Sequence, residues 1–336
     1  MKTKIGIFNH KGGVAKTTTS FHLGWMLTNL GHKVLFIDSD SQCNLSTLFL
    51  GGDDFEDHYI NNPTDNLKNA LSPAFESKPQ LLQAPNCIVH KKNENLFLLP
   101  GNPEITEYET QLGIAINFNQ SFTVAKNLPG SFNYLMNITA EKYKVDFVII
   151  DMNPSLSSIN QVLLMSTNYF ILPLSIDYFS ERAVDSMSKI IPRWSKWYNE
   201  AVKFFVDSEY KLQDKKPKFL GYVFNNFNKR KGEPAKPVQG IMDSITESFN
   251  NQFIPKLKEE GMININQTEF NLAQISDFQS LKATYQESSL PIFEITTEHG
   301  YSGALVKQYE NTISTFYAVY EDLTKKILNL IEKENE

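Results

Sequence analysis

Residues 1–27 read MKTKIGIFNHKGGVAKTTTSFHLGWML, and this stretch decides the fold. A short β-prone run leads into Gly12 and Gly13, and an apolar helical pattern begins at Thr17. Glycine lets the backbone take conformations that a side chain forbids, so several amides can point at one anion. The start of the helix adds its positive dipole end, and Lys16 adds an ammonium group. The stretch therefore predicts a phosphate-binding loop in which Lys16 neutralises the β- and γ-phosphates and the Thr17 hydroxyl ligates Mg²⁺.

The rest of the chain alternates between strand and helix patterns. Apolar β-prone runs predict strands at 4–9, 32–38, 95–101, 144–151, 169–175 and 218–227, and helical spacing predicts helices at 17–30, 132–142, 178–198, 238–254 and 302–331. We expect Pro192 to kink or interrupt the helix in which it lies. The alternation predicts an α/β fold with a mostly parallel, doubly wound sheet and helices on both faces. Together with the phosphate loop after the first strand, this is the pattern of a P-loop NTPase sheet. Ligands bind beyond the carboxyl ends of the strands in such sheets.

We predict a single domain over residues 1–336, because α/β folds of this length often form one unit. Residues 51–95 are rich in glycine, proline, asparagine and aspartate, which are typical of turns. They predict an insertion or irregular segment at the edge of the fold. The long C-terminal helix predicted at 302–331 is expected to pack on the core rather than on a partner or a membrane.

The composition is that of a globular chain, with 41% hydrophobic and 21% charged residues. The net charge of −6, from 32 basic and 38 acidic residues, gives no general attraction to DNA or anionic lipid, so nucleic-acid binding would need a local basic patch. Two cysteines, Cys43 and Cys87, exclude a disulfide scaffold and a four-cysteine metal site within one chain. No apolar run reaches the ~20 residues of a membrane span and the N-terminus lacks a signal-peptide pattern, so we expect a cytoplasmic protein.

The phosphate loop departs from the common P-loop pattern, because Ala15 stands where that pattern has glycine. It matches the variant pattern K-G-G-x-x-K-T-T in full, and in this it resembles the ParA/MinD family of deviant Walker A ATPases, most of all the ParA-type DNA partitioning ATPases. The resemblance implies a Mg²⁺-dependent ATPase, with ATP, ADP and Mg²⁺ as cofactors, that forms an ATP-sandwich homodimer. It implies nucleotide contacts from Lys11, Gly12, Gly13, Val14, Ala15, Lys16, Thr17 and Thr18.

The resemblance also gives the two lysines of the loop different roles. Lys16 serves the phosphates of its own subunit, and Lys11 is expected to reach across the dimer to the phosphates of the other subunit. A second cation can stabilise the charge that builds up in phosphoryl transfer, as an arginine finger does. Hydrolysis would then wait for dimerisation.

Residues 38–44, DSDSQCN, resemble the family pattern D-x-D-P-Q-G-N, with Ser41 and Cys43 in place of proline and glycine. The resemblance implies that Asp40 orients or activates the attacking water and that Asp38 lies near the Mg²⁺ shell. The predicted catalytic residues are Lys11, Lys16 and Asp40.

Residues 144–151, KVDFVIID, resemble the Walker B strand of the family. A carboxylate at the end of that strand, here Asp151, holds Mg²⁺, usually through water. The next residues depart from the family pattern D-x-P-P-S-L-G at Asn153 and Ser157. The predicted metal-binding residues are Thr17, Asp38 and Asp151.

Two further segments resemble parts of the family that surround the base. An asparagine near the end of the strand at 218–227 often bonds the adenine edge, and of Asn225 and Asn226 we favour Asn225. Pro291, in the segment SLPIFE, is expected to pack over the base. The basic loop that follows the strand at 218–227 predicts contacts with the DNA backbone through Lys229, Arg230, Lys231 and Lys236. The helix at 178–198 and the residues just after it offer a second basic set: Lys189, Arg193, Lys196 and Lys203.

The function that the resemblance implies is partitioning of plasmid or chromosomal DNA, with a ParB-like adaptor as partner, non-specific DNA as track and association with the nucleoid. One alternative is a MinD-like or other positioning ATPase that works on a membrane or a protein scaffold. The acids in the closing sequence TKKILNLIEKENE argue against membrane binding. The second alternative is a nucleotide-gated interaction module that hydrolyses ATP slowly, which the substitutions Ser41 and Cys43 leave open.

Overall fold

The computed structural model describes residues 2–117, 123–227, 229–230, 233–296 and 306–335. The strands are β1 Thr3–Ile7, β2 Val34–Asp38, β3 Ile88–His90, β4 Asn93–Leu99, β5 Phe147–Asp151, β6 Tyr169–Ser175, β7 Lys218–Phe227, β8 Lys229–Arg230, β9 Glu233–Pro234 and β10 Asn271–Ser276. The helices are α1 Lys16–Asn29, α2 Asn44–Leu50, α3 Gly52–Asn61, α4 Leu67–Phe75, α5 Tyr108–Asn117, α6 Leu128–Lys142, α7 Ser158–Met165, α8 Tyr178–Phe204, α9 Lys236–Ser248, α10 Ile254–Glu259, α11 Leu281–Ser288 and α12 Val306–Asn335.

In the described residues, eight strands form one sheet in the order β10-β7-β6-β1-β5-β2-β4-β3. All neighbouring pairs in it are parallel except β3 and β4, which pair antiparallel at one edge. Strands β8 and β9 form a separate antiparallel ribbon. The mostly parallel α/β sheet predicted from the sequence is confirmed.

The central strand β5 brings the chemically important strand ends together. Its last residue, Asp151, is in register with Ile7 at the end of β1 and with Asp38 at the end of β2. Because all three strands run in the same direction, the loops that follow them leave the sheet at one edge.

Helices cover both faces of the sheet, as the continuous apolar runs of the strands predict. Along β5, Val148 and Ile150 belong to the core beneath α4–α9, whereas Phe147 and Ile149 belong to the core beneath α1, α2, α11 and α12. The predicted C-terminal helix packs on this second face through buried residues such as Tyr320 and Ile327.

Several elements differ from their predicted form. Helix α8 is not interrupted at Pro192, because its buried face packs on the core and this packing outweighs the loss of one backbone hydrogen bond. A kink at Pro192 stays a prediction. The helix predicted at 238–254 divides into α9, a π-helical turn at Phe249–Phe253 and α10. The predicted start of the C-terminal helix, residues 302–305, lies outside the described residues.

Residues 51–95 hold α3, α4, β3 and the first residues of β4. Helix α3 buries none of its side chains, and β3 adds an antiparallel strand to the edge of the sheet. Among the helices that the structure describes, none has the length and apolar character needed to cross a bilayer.

Candidate nucleotide site

The loop between β1 and α1 borders a cavity of about 560 Å³ at the carboxyl edge of the sheet. Gly13 and Ala15 both adopt left-handed backbone conformations, with φ of 74° and 64°. Glycine takes this conformation freely, whereas alanine is strained in it. The loop residues on the cavity wall are Gly12, Gly13, Ala15, Lys16, Thr17 and Thr18.

Lys16 is buried at the start of α1, and its ammonium group is 3.2 Å from the backbone oxygen of Lys11. Burial lowers the pKa of Lys16, and the negative charges of Asp151 and Asp40 oppose that shift. The ammonium group therefore lies among carboxylates but is held directly by a carbonyl oxygen. This arrangement suits a cation that exchanges a weak internal partner for phosphate oxygens.

Lys11 points the other way, toward the start of α8. Its ammonium group donates to Asp177 in an ion pair, and it lies 2.8 Å from Ser175 Oγ and 3.2 Å from Ser180 Oγ. Burial alone would raise the pKa of Asp177, but hydrogen bonds from Lys11 and Ser175 lower it below its ordinary value. Asp177 also accepts from the Ser180 amide as the N-cap of α8. The chain therefore holds Lys11 within its own subunit.

Asp151 accepts two hydroxyl hydrogen bonds at the end of β5, from Thr17 Oγ1 at 2.6 Å and from Ser20 Oγ at 3.0 Å. Burial raises its pKa to about 6, although the Thr17 bond and the charge of Lys16 oppose the change. Asp38 is fully buried beside it and accepts from the amide and the hydroxyl of Ser46. Burial and the neighbouring Asp151 raise the pKa of Asp38 to about 7, and Asp38 is not on the cavity wall.

The loop after β2 carries Asp40 to the cavity wall. Asp40 Oδ1 accepts from the amide of Gln42, and its backbone oxygen accepts from the amide of Cys43 at 2.9 Å. Cys43 has φ of 52° where the family pattern has glycine. The Cys43 thiol fits because the residue next to it is Gly101: a β-carbon at that position would lie only 3.0 Å from Cys43 Sγ.

The structure places both expected base contacts, Asn225 and Pro291, off the cavity wall. Asn225 lies buried beneath the phosphate loop, with Nδ2 3.4 Å from the Val14 oxygen and from Thr19 Oγ1, whereas its neighbour Asn226 lines the cavity. Pro291 is not on the cavity wall either, since the next residue, Ile292, docks on α1. The wall at this end is formed by residues that the sequence analysis missed, namely Asp277, Phe278, Lys282, Tyr285 and Gln286.

The donor set at the loop fits Mg²⁺. The Thr17 hydroxyl and the Asp151 carboxylate, 2.6 Å apart, are the hard oxygen ligands that this ion takes. Within the described residues there is no group of three or more His, Cys, Asp or Glu side chains that would enclose a metal by themselves. That combination matches an ion held by few protein ligands and completed by phosphate and water.

The residues predicted to contact DNA are spread over two elements. Lys229 and Arg230 form β8, Lys231 lies outside the described residues, and Lys236 is exposed at the start of α9. On α8, Lys189 pairs with Asp185 at 2.8 Å. The other basic residues of that set are exposed on the same helix: Arg193, Lys196 and Lys203.

A family model described as an AAA domain matches residues 2–204, more than half of the chain. The uncharacterized protein MJECL24 of Methanocaldococcus jannaschii is 30% identical over 237 residues, which cover 70% of this chain and 78% of that relative. A ParA family protein of Chlamydia pneumoniae is 27% identical over 192 residues, 57% of this chain and 65% of that relative. The chain belongs to the ParA/MinD family.

Solved structures share the fold of this ParA/MinD-family chain. McdA from Cyanothece aligns with a TM-score of 0.62 at 17% identity and covers 97% of this chain and 100% of its own. A plasmid partition protein from Borrelia burgdorferi aligns with a TM-score of 0.51 at 18% identity, over 94% and 97% of the two chains. A single-residue variant of McdA has been solved in complex with ATP, and it aligns with a TM-score of 0.58 to this chain at 17% identity.

Proposed function

We propose that this chain is a Mg²⁺-dependent ATPase that dimerises around ATP and partitions DNA. The observation that carries the proposal is the convergence of three loops on one cavity. Lys16 and Thr17 follow the loop after β1, Asp40 lies in the loop after β2 and Pro154 lies in the loop after β5, and all four line the cavity. Asp151, buried at the end of β5 and not on the wall, accepts from Thr17.

Each group has a chemical task in phosphoryl transfer. Lys16 neutralises charge on the β- and γ-phosphates, and Thr17 and Asp151 hold Mg²⁺. A bound Mg²⁺ ion supplies positive charge that offsets the charge of the phosphate oxygens. Asp40, on the cavity wall, orients the attacking water and accepts its proton.

Dimerisation completes the site in this proposal. Lys11 leaves Asp177 and turns to the phosphates of the second copy, where its charge stabilises the transition state. ATP closes the dimer and hydrolysis reopens it. The ATP complex of a variant of McdA, a protein of the same fold, supports the proposal that this chain binds ATP.

The proposed role in the cell is partitioning of DNA, with non-specific DNA contacts and a ParB-like adaptor that stimulates hydrolysis. A plasmid partition protein from Borrelia burgdorferi is among the proteins of the same fold. The proposed DNA contacts are Lys229, Arg230, Lys231 and Lys236, and α8 supplies the second basic set.

Substitution of the phosphate-loop lysine tests the enzymatic part. Lys16→Ala should lower the rate of phosphate release by at least about 100-fold, because no other group replaces its charge at the γ-phosphate. Lys33→Ala, at an exposed lysine beyond the end of α1, is the matched control and should keep the wild-type rate. Equal rates in wild type and Lys16→Ala would reject the assignment, and near-zero wild-type turnover with intact ATP binding would favour a nucleotide-gated interaction module.

Substitution of the predicted water-orienting carboxylate tests the dimer. Asp40→Ala should bind ATP, fail to hydrolyse it and accumulate as a dimer that light scattering detects after size exclusion. ADP should leave the same variant monomeric. A monomer with either nucleotide would count against the sandwich dimer.

A mobility-shift assay on random duplex DNA tests the cellular role. ATP with Asp40→Ala should shift the DNA, ADP should not, and the affinity should fall steeply as salt rises because counterions are released on binding. If ATP causes no mobility shift of the DNA at low salt, the result would favour the alternative of a positioning ATPase that works on a protein or membrane scaffold.

A further inference from the structure

A hydrogen bond between side chains joins the loop after β2 to the loop after β5. Asn153 Nδ2 donates to Ser41 Oγ over 3.1 Å. Both positions hold proline in the family pattern that the surrounding residues follow. Proline has neither hydroxyl nor amide, so a chain with proline at both positions has no such bond. The two departures from the pattern therefore form one paired feature.

Asn153 is held firmly from the side of α7. Asn160, fully buried in the first turn of that helix, donates through Nδ2 to the Asn153 oxygen at 2.7 Å and to the Ser155 oxygen at 2.8 Å. Ser157 caps α7 by accepting from the Asn160 amide. A side chain whose own backbone is fixed in this way can serve as an anchor for another loop.

Ser41 belongs to the turn that carries Asp40. The Asp40 oxygen accepts from the Cys43 amide, and Asp40 Oδ1 accepts from the Gln42 amide at 2.9 Å. These bonds close the turn on itself, and Ser39 holds the start of the turn by donating from its amide and its hydroxyl to the Asp151 oxygen. On the far side of Asp40 the turn needs a second anchor. The Asn153–Ser41 bond is that anchor, and it lies beside the cavity, which both Asp40 and Pro154 line.

We propose that Asn153 and Ser41 are positioning residues for Asp40. Their bond fixes the turn so that the Asp40 carboxylate stays where it meets the attacking water. The inference rests on the proposed ATPase activity and adds to it a mechanical link from α7, through the loop after β5, to the reacting group. Neither Ser41 nor Asn153 is on the wall of the nucleotide cavity, so the link acts on turnover and not on ATP affinity.

A double-mutant cycle measures this link. Ser41→Ala and Asn153→Ala should each lower kcat by about 3- to 10-fold, the range of one neutral hydrogen bond, and leave KM for ATP within about twofold. The double variant should be no slower than either single one, because both remove the same bond. Ser41→Thr keeps the hydroxyl and should keep kcat within about twofold of wild type. Asn117→Ala, at an exposed asparagine of α5, controls for loss of an amide elsewhere.

The outcomes separate this inference from the proposed function. If the wild type hydrolyses ATP but the effects of Ser41→Ala and Asn153→Ala on kcat add up, or neither variant has an effect, the inference is overturned. The proposed ATPase activity would still stand. A raised KM at unchanged kcat would overturn it as well. A wild-type chain that binds ATP but releases no phosphate would overturn both.

Discussion

At the scale of single residues, Ala15 shows that the phosphate loop stores backbone strain. Its φ of 64° belongs to the left-handed region, where an L-residue with a β-carbon is unfavourable by roughly 1–2 kcal/mol. Ala15→Gly should therefore raise the free energy of unfolding by about 1 kcal/mol, measured by chemical denaturation. Ala235→Gly is the control, because Ala235 also precedes a helix but has φ of −62°, and there glycine should destabilise. If Ala15→Gly destabilises the protein as Ala235→Gly does, the backbone at Ala15 is not strained.

His22 gives a prediction about pH. The ring is fully buried on α1, 3.0 Å from the Ile292 amide that donates to it, and stacks on Tyr320 at 4.5 Å. Burial lowers its pKa to about 3, so the folded chain keeps the ring neutral while the unfolded chain protonates it near the ordinary value of 6.5. The unfolded state then binds the extra proton, and this group should remove about 2 kcal/mol of stability between about pH 8 and pH 5.

His22→Gln isolates that contribution. Glutamine can still donate to the Thr18 oxygen and accept from the Ile292 amide, but it does not titrate. The variant should be less stable at pH 8 because ring packing is lost, and it should lose less stability than wild type on going to pH 5. Histidines that remain in both chains, such as His90, cancel in the comparison. Equal pH slopes in the two proteins would show that His22 is not buried as neutral imidazole.

At the scale of elements, the start of α8 holds Lys11 in an ion pair with Asp177, and in the proposed dimer this pair has to open. Asp177→Asn keeps the N-cap acceptor for the Ser180 amide and removes the charge that pairs with Lys11. Because the ion pair is partly exposed, its loss should lower the dissociation constant of the ATP-dependent dimer by only about twofold to fivefold. Glu181→Gln, an acid in the first turn of the same helix, is the matched control. Weaker dimerisation of Asp177→Asn in sedimentation would mean that Asp177 guides Lys11 instead of retaining it.

The elements also show what the sequence can predict. Strands β1, β2 and β5 were predictable because strands covered on both faces are continuous apolar runs, and the glycine loop after β1 identifies their shared edge. Strand β10 and helix α11 were missed, since both are short and neither carries a motif. The cavity wall near the expected base site is formed by residues just after β10 and on α11, so this wall was not predicted either.

The choice between Asn225 and Asn226 shows the same limit at finer scale. Side chains alternate along a strand, so one of the two must face inward, but the sequence does not say which. The pairing of β7 with β10 shifts register near this point, and Asn226 has φ of 58°. Such an irregularity is set by the neighbouring strand, and it leaves Asn225 buried and turns Asn226 to the cavity.

At the scale of the whole molecule, exposed apolar side chains mark the surface around Lys11. Tyr178 and Phe179 follow Asp177 directly and are 60% and 70% exposed, and Leu156, in the loop after β5, is 40% exposed. All three leave the sheet at the carboxyl edge, where the nucleotide cavity lies. Large apolar groups gathered beside a functional site are typical of a surface that a partner covers. In the proposed dimer that partner is the second copy.

Phe179→Ser tests this surface. Burial of a phenylalanine side chain contributes about 2 kcal/mol, so its loss should weaken the ATP-dependent dimer by roughly 30-fold and leave ATP binding to the monomer unchanged. Ile265→Ser is the matched control, because Ile265 is 82% exposed but lies in the segment that leads into β10, at the amino edge of the sheet. Sedimentation equilibrium with ATP gives both dimerisation constants. If Ile265→Ser weakens the dimer as much as Phe179→Ser does, exposed apolar side chains in general drive association. The surface around Lys11 would then not be the dimer interface.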